Sequence, residues 1–388
     1  MKNINFYTPT RVLFGAGRLE ELGTVALPGT KALIATTKGK SVKKYGYLDR
    51  VIALLAKQGV ESVLYDQLTP NPTVKQVNEG AAYALENGCD FVVALGGGSA
   101  IDASKMIGIM MKNPGSIYDY IKGAPFEETA PVVAITTTAG TGSEIDPWAV
   151  TTNEETDEKL GWGTEKNFAA IAIVDPELMV SVPASFTAYQ GMDTFFHCAE
   201  CFISTATNDM NDMFALEGIK LVTKYLPIAC ADGKNLEARS QVAWANSLGG
   251  YAQFISGCTS EHAMEHAMSG VHKDLTHGVG LLLICDAYYT FFADKPGYAE
   301  RYEKMAKAMG VDTDALPEAE RPMAFVNALK ALKKACGVAD LKMEDYGLSI
   351  DECDSLAVLA KKVGAGMFAS DMYTLSDEEC ASIYRASF

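Results

Sequence analysis

The chain contains five histidines, and all of them (His197, His262, His266, His272 and His277) lie in its second half. Asp193 and His197 stand at i and i+4 in GMDTFFHCAE. On a helix that spacing puts both side chains on one face, about a turn apart. His262 and His266 repeat the spacing in SEHAMEHAMSG, and His277 follows in THG, a loop histidine by its surroundings. Two helical pairs and a loop histidine can converge on one divalent ion. Carboxylate oxygen with imidazole nitrogens suits zinc or ferrous iron and is a poor set for calcium or magnesium. With Asp193, His197, His262 and His277 as the metal ligands, His266 is left for a supporting or proton-transfer role. The spacing is not HExxH, which argues against a metalloprotease. His272 reads as an ordinary hydrogen-bonded histidine. Cys198 and Cys201 form a CxxC beside His197, but no second CxxC exists, so buried inert thiols are the expectation.

A second group of residues suits a phosphate. Gly96-Gly97-Gly98-Ser99 follows the apolar run FVVAL and opens a helical pattern. Glycines let a backbone approach a diphosphate closely, and a helix N-terminus adds N–H groups and a positive dipole. The alternative is a tight strand-to-helix turn that needs positive φ. Asp102 and Lys105, three apart on the next helix, read as an intrahelical pair. The loop Thr136–Glu144 (TTTAGTGSE) follows a second apolar run. It suits a diphosphate, a ribose or a nicotinamide edge, with a Ser/Thr-rich helix cap as the alternative. Two such loops after two parallel strands would set a ligand outside the carboxyl ends of a sheet.

The elements that must hold these groups change character along the chain. Lys31–Thr36, Glu61–Tyr65, Phe91–Leu95, Pro131–Thr136 and Ala169–Val174 read as buried strands. Helical periodicity separates them at Tyr47–Lys57, Val74–Leu85 and Ala100–Met111. Such alternation predicts a parallel, doubly wound sheet. It stops near Asp175-Pro176. Helical patterns then dominate over Asp193–Ile203, Asp209–Tyr225, Leu236–Phe254, Pro322–Lys334 and Ser349–Lys362. The expected plan is a nucleotide-binding α/β domain over 1–180 and an all-helical metal-binding, catalytic domain over 181–388, with a cleft between them. Phe254, Tyr251, Trp148 and Trp162 are either cleft or core.

Composition narrows the classes. The 388 residues are 48% hydrophobic and 21% charged, ordinary globular values that allow a sizeable core. With 49 acidic against 33 basic residues the net charge is -16, the wrong sign for a phosphate-backbone binder, so no nucleic-acid partner is expected. No secretory signal and no run of 18 apolar residues is visible, so neither is a membrane. Nine irregularly spaced cysteines favour a reducing cytoplasm over a disulfide framework.

Taken together, these residues resemble the iron-containing (group III) alcohol dehydrogenase family. The resemblance is carried by FGAG at 14–17, GGGSAIDASK at 96–105, TTTAGTGSE at 136–144, IVDPEL at 173–178, GMDTFFHCAE at 191–200 and the segment with His262, His266 and His277. It runs over essentially the full length, to YTLSDEECASIY near the C-terminus. It implies a Rossmann-like nucleotide-binding domain and a helical metal domain of the dehydroquinate synthase-like plan, usually a homodimer, with catalysis in the cleft. By that resemblance the metal ligands are Asp193, His197, His262 and His277, with His266 as a further active-site histidine. The diphosphate glycines are Gly96, Gly97 and Gly98 with Ser99 beside them. Asp102, Thr138, Thr141 and Lys159 fall at cofactor-contacting positions.

NAD-preferring members often carry an Asp just after the strand that matches Lys31–Thr36. Here the segment is Thr36-Thr37-Lys38-Gly39-Lys40-Ser41, without a carboxylate. It is similar to the loop of NADPH-dependent aldehyde-reducing members, and Lys38 or Lys40 would pair with a 2′-phosphate beside Thr37. The expectation is an Fe²⁺- or Zn²⁺-dependent, NADP(H)-preferring dehydrogenase for short-chain primary alcohols and aldehydes, with NAD(H) the less favoured cofactor. The rivals are a diol or glycerol dehydrogenase, a sugar-phosphate cyclising synthase, a metal-dependent hydrolase and a noncatalytic nucleotide sensor.

Overall fold

The structure is a computed structural model that describes residues 3–388, so the first two residues of the expected 1–180 domain lie outside it. Its contacts divide the chain into two compact units, Tyr7–Ser181 and Val182–Phe388, the second joined by the stretch ahead of Tyr7.

The first unit is built on eight strands: β1 (Arg11–Phe14), β2 (Lys31–Thr37), β3 (Glu61–Leu68), β4 (Phe91–Gly96), β5 (Val132–Thr136), β6 (Ala149–Asn153), β7 (Glu158–Trp162) and β8 (Ile171–Val174). Six form a sheet in the order β1-β8-β5-β4-β2-β3, and every pairing in it is parallel. The helices α1 (Ser41–Lys44), α2 (Tyr47–Lys57), α3 (Val74–Glu86), α4 (Gly98–Met110) and α5 (Ile117–Ile121) connect its strands. Alternate residues of β2, β4 and β5 feed two separate cores. Leu33, Val92, Ala94, Val132 and Ala134 pack with Val77, Ile101 and Met106 of α3 and α4. Ala32, Ile34, Val93, Val133 and Ile173 pack with Leu48, Val51 and Leu55 of α2. Because both faces are covered, the strands read as continuous apolar runs rather than as alternating ones.

Strands β1, β6 and β7 and the short helices α1 and α5 are not in the sequence reading. Strand β1 has only four residues, too few for a periodicity to register. Strands β6 and β7 form a separate antiparallel hairpin. The 136–144 loop leads into that hairpin and not into a helix, so the helix-cap alternative for it is wrong.

The second unit is helical: α6 (Ala184–Ile203), α7 (Asp209–Ala231), α8 (Leu236–Ser256), α9 (Ser260–Val271), α10 (His277–Phe292), α11 (Tyr298–Ala308), α12 (Arg321–Ala335), α13 (Cys353–Val363), α14 (Ala365–Ala369) and α15 (Asp377–Arg385). Helix α6 starts at Ala184, ahead of the expected Asp193. Helix α7 runs on past Tyr225 through Pro227 to Ala231. Every residue of α6 from Gly191 to Ile203 is buried. A helix buried all round belongs at the centre of a bundle. Its Phe195 stacks on Phe325 and its Phe196 on Tyr289. Among these apolar neighbours, Asp193, His197 and Glu200 form a buried polar stripe at i, i+4 and i+7. Burying three such groups is costly unless each is partnered.

Candidate active site

In the helical unit the stripe on α6 meets the start of α9 and of α10. Asp193 Oδ1 lies 3.6 Å from His197 Nδ1, 3.5 Å from His262 Nε2 and 3.5 Å from His277 Nε2. It is buried, and no hydrogen-bond donor reaches it. In a tetrahedral site with bonds of about 2.1 Å, the ligand atoms stand about 3.4 Å apart. The three separations from Asp193 Oδ1 are those expected between ligands of one ion, so the residues fit the group that the ligand types suggest. Burial pushes the Asp193 carboxyl up, but the charges of His197 and His277 outweigh it and hold the group well below the usual carboxylate range. Burial pulls His262 down, and Glu200 and Asp193 overcome that to raise it well above the usual histidine range. His277 is the first residue of α10, not a loop histidine. Its helix comes close because Gly278 lacks a Cβ, which would sit 2.3 Å from the Tyr189 carbonyl oxygen of α6. At 22% exposure its side chain is the open edge of the set. The His266 ring lies 5.6 Å from that of His277 and 6.4 Å from that of His262, beside the cluster.

In the α/β unit the loops after β2, β4 and β5 leave the same edge of the sheet, since these strands are parallel neighbours. The chain leaves β2 toward β3 on one side, while β4 lies on the other, so the sheet reverses its winding there. Ligands of such sheets bind at that edge and at that point. Gly97 and Gly98 are required by contact rather than by positive φ. A Cβ on Gly97 would stand 2.7 Å from Thr138 Oγ1, and one on Gly98 2.5 Å from Thr141 Cγ2. The two loops are thus in contact, with Ser99 in the first turn of α4, where a helix has unused N–H groups.

Two family models match the chain: iron-containing alcohol dehydrogenase over residues 9–176, and the C-terminal domain of the Fe-containing alcohol dehydrogenase family over 187–388. The chain belongs to the iron-containing alcohol dehydrogenase family. It is 33% identical to a 1,3-propanediol dehydrogenase of Klebsiella pneumoniae over 100% of this chain and 97% of that one. It is 35% identical to a choline dehydrogenase of Bacillus subtilis over 92% of this chain and 89% of the other. The crystal structure of an archaeal halo-thermophilic alcohol dehydrogenase from a Red Sea brine pool superposes with a TM-score of 0.93 at 33% identity, covering 100% of both chains. This chain is accordingly an alcohol dehydrogenase, an oxidoreductase of a family that works with a metal and NAD(P). No helix among its described residues is long and apolar enough to cross a membrane.

Within this alcohol dehydrogenase the Asp102–Lys105 reading needs correction. Lys105 is fully buried and donates across to the second loop: to Ser143 Oγ at 2.8 Å, to the Asp146 carbonyl at 2.8 Å and carboxylate at 3.3 Å, and to the Trp148 carbonyl at 2.7 Å. Asp102 accepts from Ser143 Oγ at 2.5 Å and from the Val150 N–H at 3.0 Å. Lysine and aspartate share Ser143 and tie α4 to the 141–150 segment. Burial raises the Asp102 carboxyl, and Lys105, Ser143, Val150 and Lys159 pull it partly back. That places Lys159, buried on β7, electrostatically close to Asp102. Thr37 ends β2 half-buried, and Lys38 and Lys40 project into solvent beyond it. Tyr251 packs on Phe214, Trp162 packs on Phe126, and Trp148 is exposed. His272 closes α9 and meets Glu352 at 3.2 Å.

Two carboxylates that the sequence reading passed over complete the cluster. His262 Nδ1 pairs with Glu200 Oε2, and His277 Nδ1 pairs with Glu265 Oε2. Glu200 is itself held by the Thr259 N–H at 3.2 Å, the Thr259 hydroxyl at 2.9 Å and the His262 N–H at 3.2 Å. A carboxylate on Nδ1 fixes the ring and leaves Nε2 with its lone pair facing Asp193. The signal was present as Glu at i+3 from His197 and from His262, but spacing does not say which histidine each one serves. Glu200→Gln is expected to weaken metal retention by about 10–100-fold, measured by chelator competition. Unchanged retention would show that Glu200 only fills space.

Proposed function

We propose that this alcohol dehydrogenase oxidises short-chain primary alcohols and reduces the matching aldehydes, as a homodimer, with NADP(H) preferred over NAD(H). In this reading residues 1–180 bind the nucleotide and 181–388 bind the metal. Asp193, His197, His262 and His277 hold Fe²⁺ or Zn²⁺, and the observation that supports it is the convergence of three ring nitrogens on the one unpartnered oxygen of Asp193. When bound, the ion supplies Lewis acidity to an alcohol or carbonyl oxygen. Glu200 and Glu265 keep the His262 and His277 rings aimed. His277, at the open edge, leaves room for the substrate oxygen. His266 takes or returns a proton at a ring nitrogen. Gly96, Gly97, Gly98 and Ser99 receive the diphosphate on the N-terminus of α4. Asp102, Thr138, Thr141 and Lys159 orient the ribose and nicotinamide, and Thr37, Lys38 and Lys40 meet the 2′-phosphate.

A diol substrate is the second reading, favoured by the 33% identity to a 1,3-propanediol dehydrogenase. Steady-state rates of Fe²⁺- and Zn²⁺-loaded protein on C2–C6 alcohols, aldehydes and diols, with both cofactors, test the proposal. Turnover of butanol-sized alcohols with a lower KM for NADP⁺ is the expected result. No binding of NADPH or NADH by nicotinamide fluorescence would remove it. A lower KM for NAD⁺ would remove the role given to Lys38 and Lys40.

A further inference from the structure

His197 is followed four residues later by Cys201 on α6, and Cys258 is followed four residues later by His262 across the start of α9. The tertiary structure turns these two pairs toward each other. The His197 and His262 rings stack with centroids 4.4 Å apart. The neighbouring Cys201 thiol and burial push the Cys258 thiol well above its usual range. One donor atom from each of His197, Cys258 and His262 falls within 4.8 Å of the other two. His262 Nε2 is buried without a hydrogen-bond partner. His197 on α6, His262 on α9 and Cys258 in the turn just ahead of α9 thus bring two imidazoles and one thiol together, a mixed nitrogen and sulfur donor set of the kind zinc sites use. The Asp193 set has no sulfur. Thiolate ligands select softer ions than carboxylate and imidazole do.

We propose that His197, Cys258 and His262, with Cys201 beside them, form a second metal site for a thiophilic divalent ion of the zinc and cadmium class. On binding, the Cys258 S–H releases its proton to solvent and a sulfur–metal bond forms, with no change of oxidation state. The site shares His197 and His262 with the Asp193 set, and to that extent rests on the proposed function. The shared rings cannot serve both positions at once. A soft ion therefore displaces the catalytic one, and the choice between Asp193 with His277 and Cys258 with Cys201 becomes a metal-discrimination device.

The test is titration of the metal-free full chain with Cd²⁺, following sulfur-to-cadmium charge-transfer absorbance in the ultraviolet. The expected result is a band that saturates at one equivalent, is lost in C258S and is retained in D193N, with far-UV circular dichroism showing all variants folded. Stoichiometric Cd²⁺ binding without the band would overturn the proposal, as would an unchanged band in C258S. The catalytic assignment fails or stands separately. If D193N keeps both its Cd²⁺ band and normal Fe²⁺-dependent turnover, the catalytic ligand set is wrong while the thiol site stands.

Discussion

Asp193→Ala is expected to lose bound metal and to lower kcat/KM by on the order of 10³-fold or more. The estimate follows from the several kcal/mol that a Lewis-acid ion contributes, at about 1.4 kcal/mol per tenfold in rate. Asp193 Oδ1 is the one carboxylate oxygen that faces the His197, His262 and His277 rings together. Removing it leaves three imidazoles with no carboxylate on the side they share, the Glu200 and Glu265 charges being bound to Nδ1 of His262 and His277. His262, already raised by Glu200, then competes for a proton instead of a metal. Metal content by mass spectrometry of the purified variant and its steady-state rates should fall together. Full metal occupancy with normal turnover would remove Asp193 from the ligand set.

Lys105→Met is expected to unfold the α/β unit more easily by about 3–5 kcal/mol, the cost of removing one partner of a buried ion pair. At roughly 2–4 °C per kcal/mol for a unit of this size, the melting temperature drops by on the order of 10 °C. The lost ammonium holds Ser143, Asp146 and Trp148 against α4, so the cofactor KM should rise as well. The effect has a pH signature. Burial pushes the Asp146 carboxyl up to about 7 even with Lys105 beside it. Without the cation its folded-state pKa rises further above the unfolded value. Such a group binds more protons folded than unfolded, so stability is kept at acid pH and lost as pH rises through that range. Thermal melts of the variant should therefore lie nearer the parent at pH 5 than at pH 8. Equal gaps at both would show that the carboxyl does not titrate there.

Much of the site was legible in the sequence because helical spacing is local. Asp193 and His197, or His262 and His266, share a face whatever surrounds them, and an apolar stripe such as that of Tyr47–Lys57 marks a helix without reference to its neighbours. Short elements were harder to read. Strand β1 exists because β8 pairs with it, and its four residues carry no pattern of their own. Helix α7 continues through Pro227 because packing along its length outweighs the local penalty of one lost hydrogen bond.

By itself, the sequence determined the family, the parallel α/β first half, the helical second half and the aspartate and histidines that the fold brings together around Asp193 Oδ1. Only the tertiary structure decided which partner each polar group takes. Glu200 serves His262 and not its helix neighbour His197. Lys105 crosses to the second loop instead of pairing along its helix. Cys201 neighbours Cys258, far away in the chain, as well as Cys198. The reason is the same in each case. Burial makes an unpartnered polar group expensive, and the cheapest partner is whichever one the packing of separate elements brings within reach, which spacing along a single element cannot show.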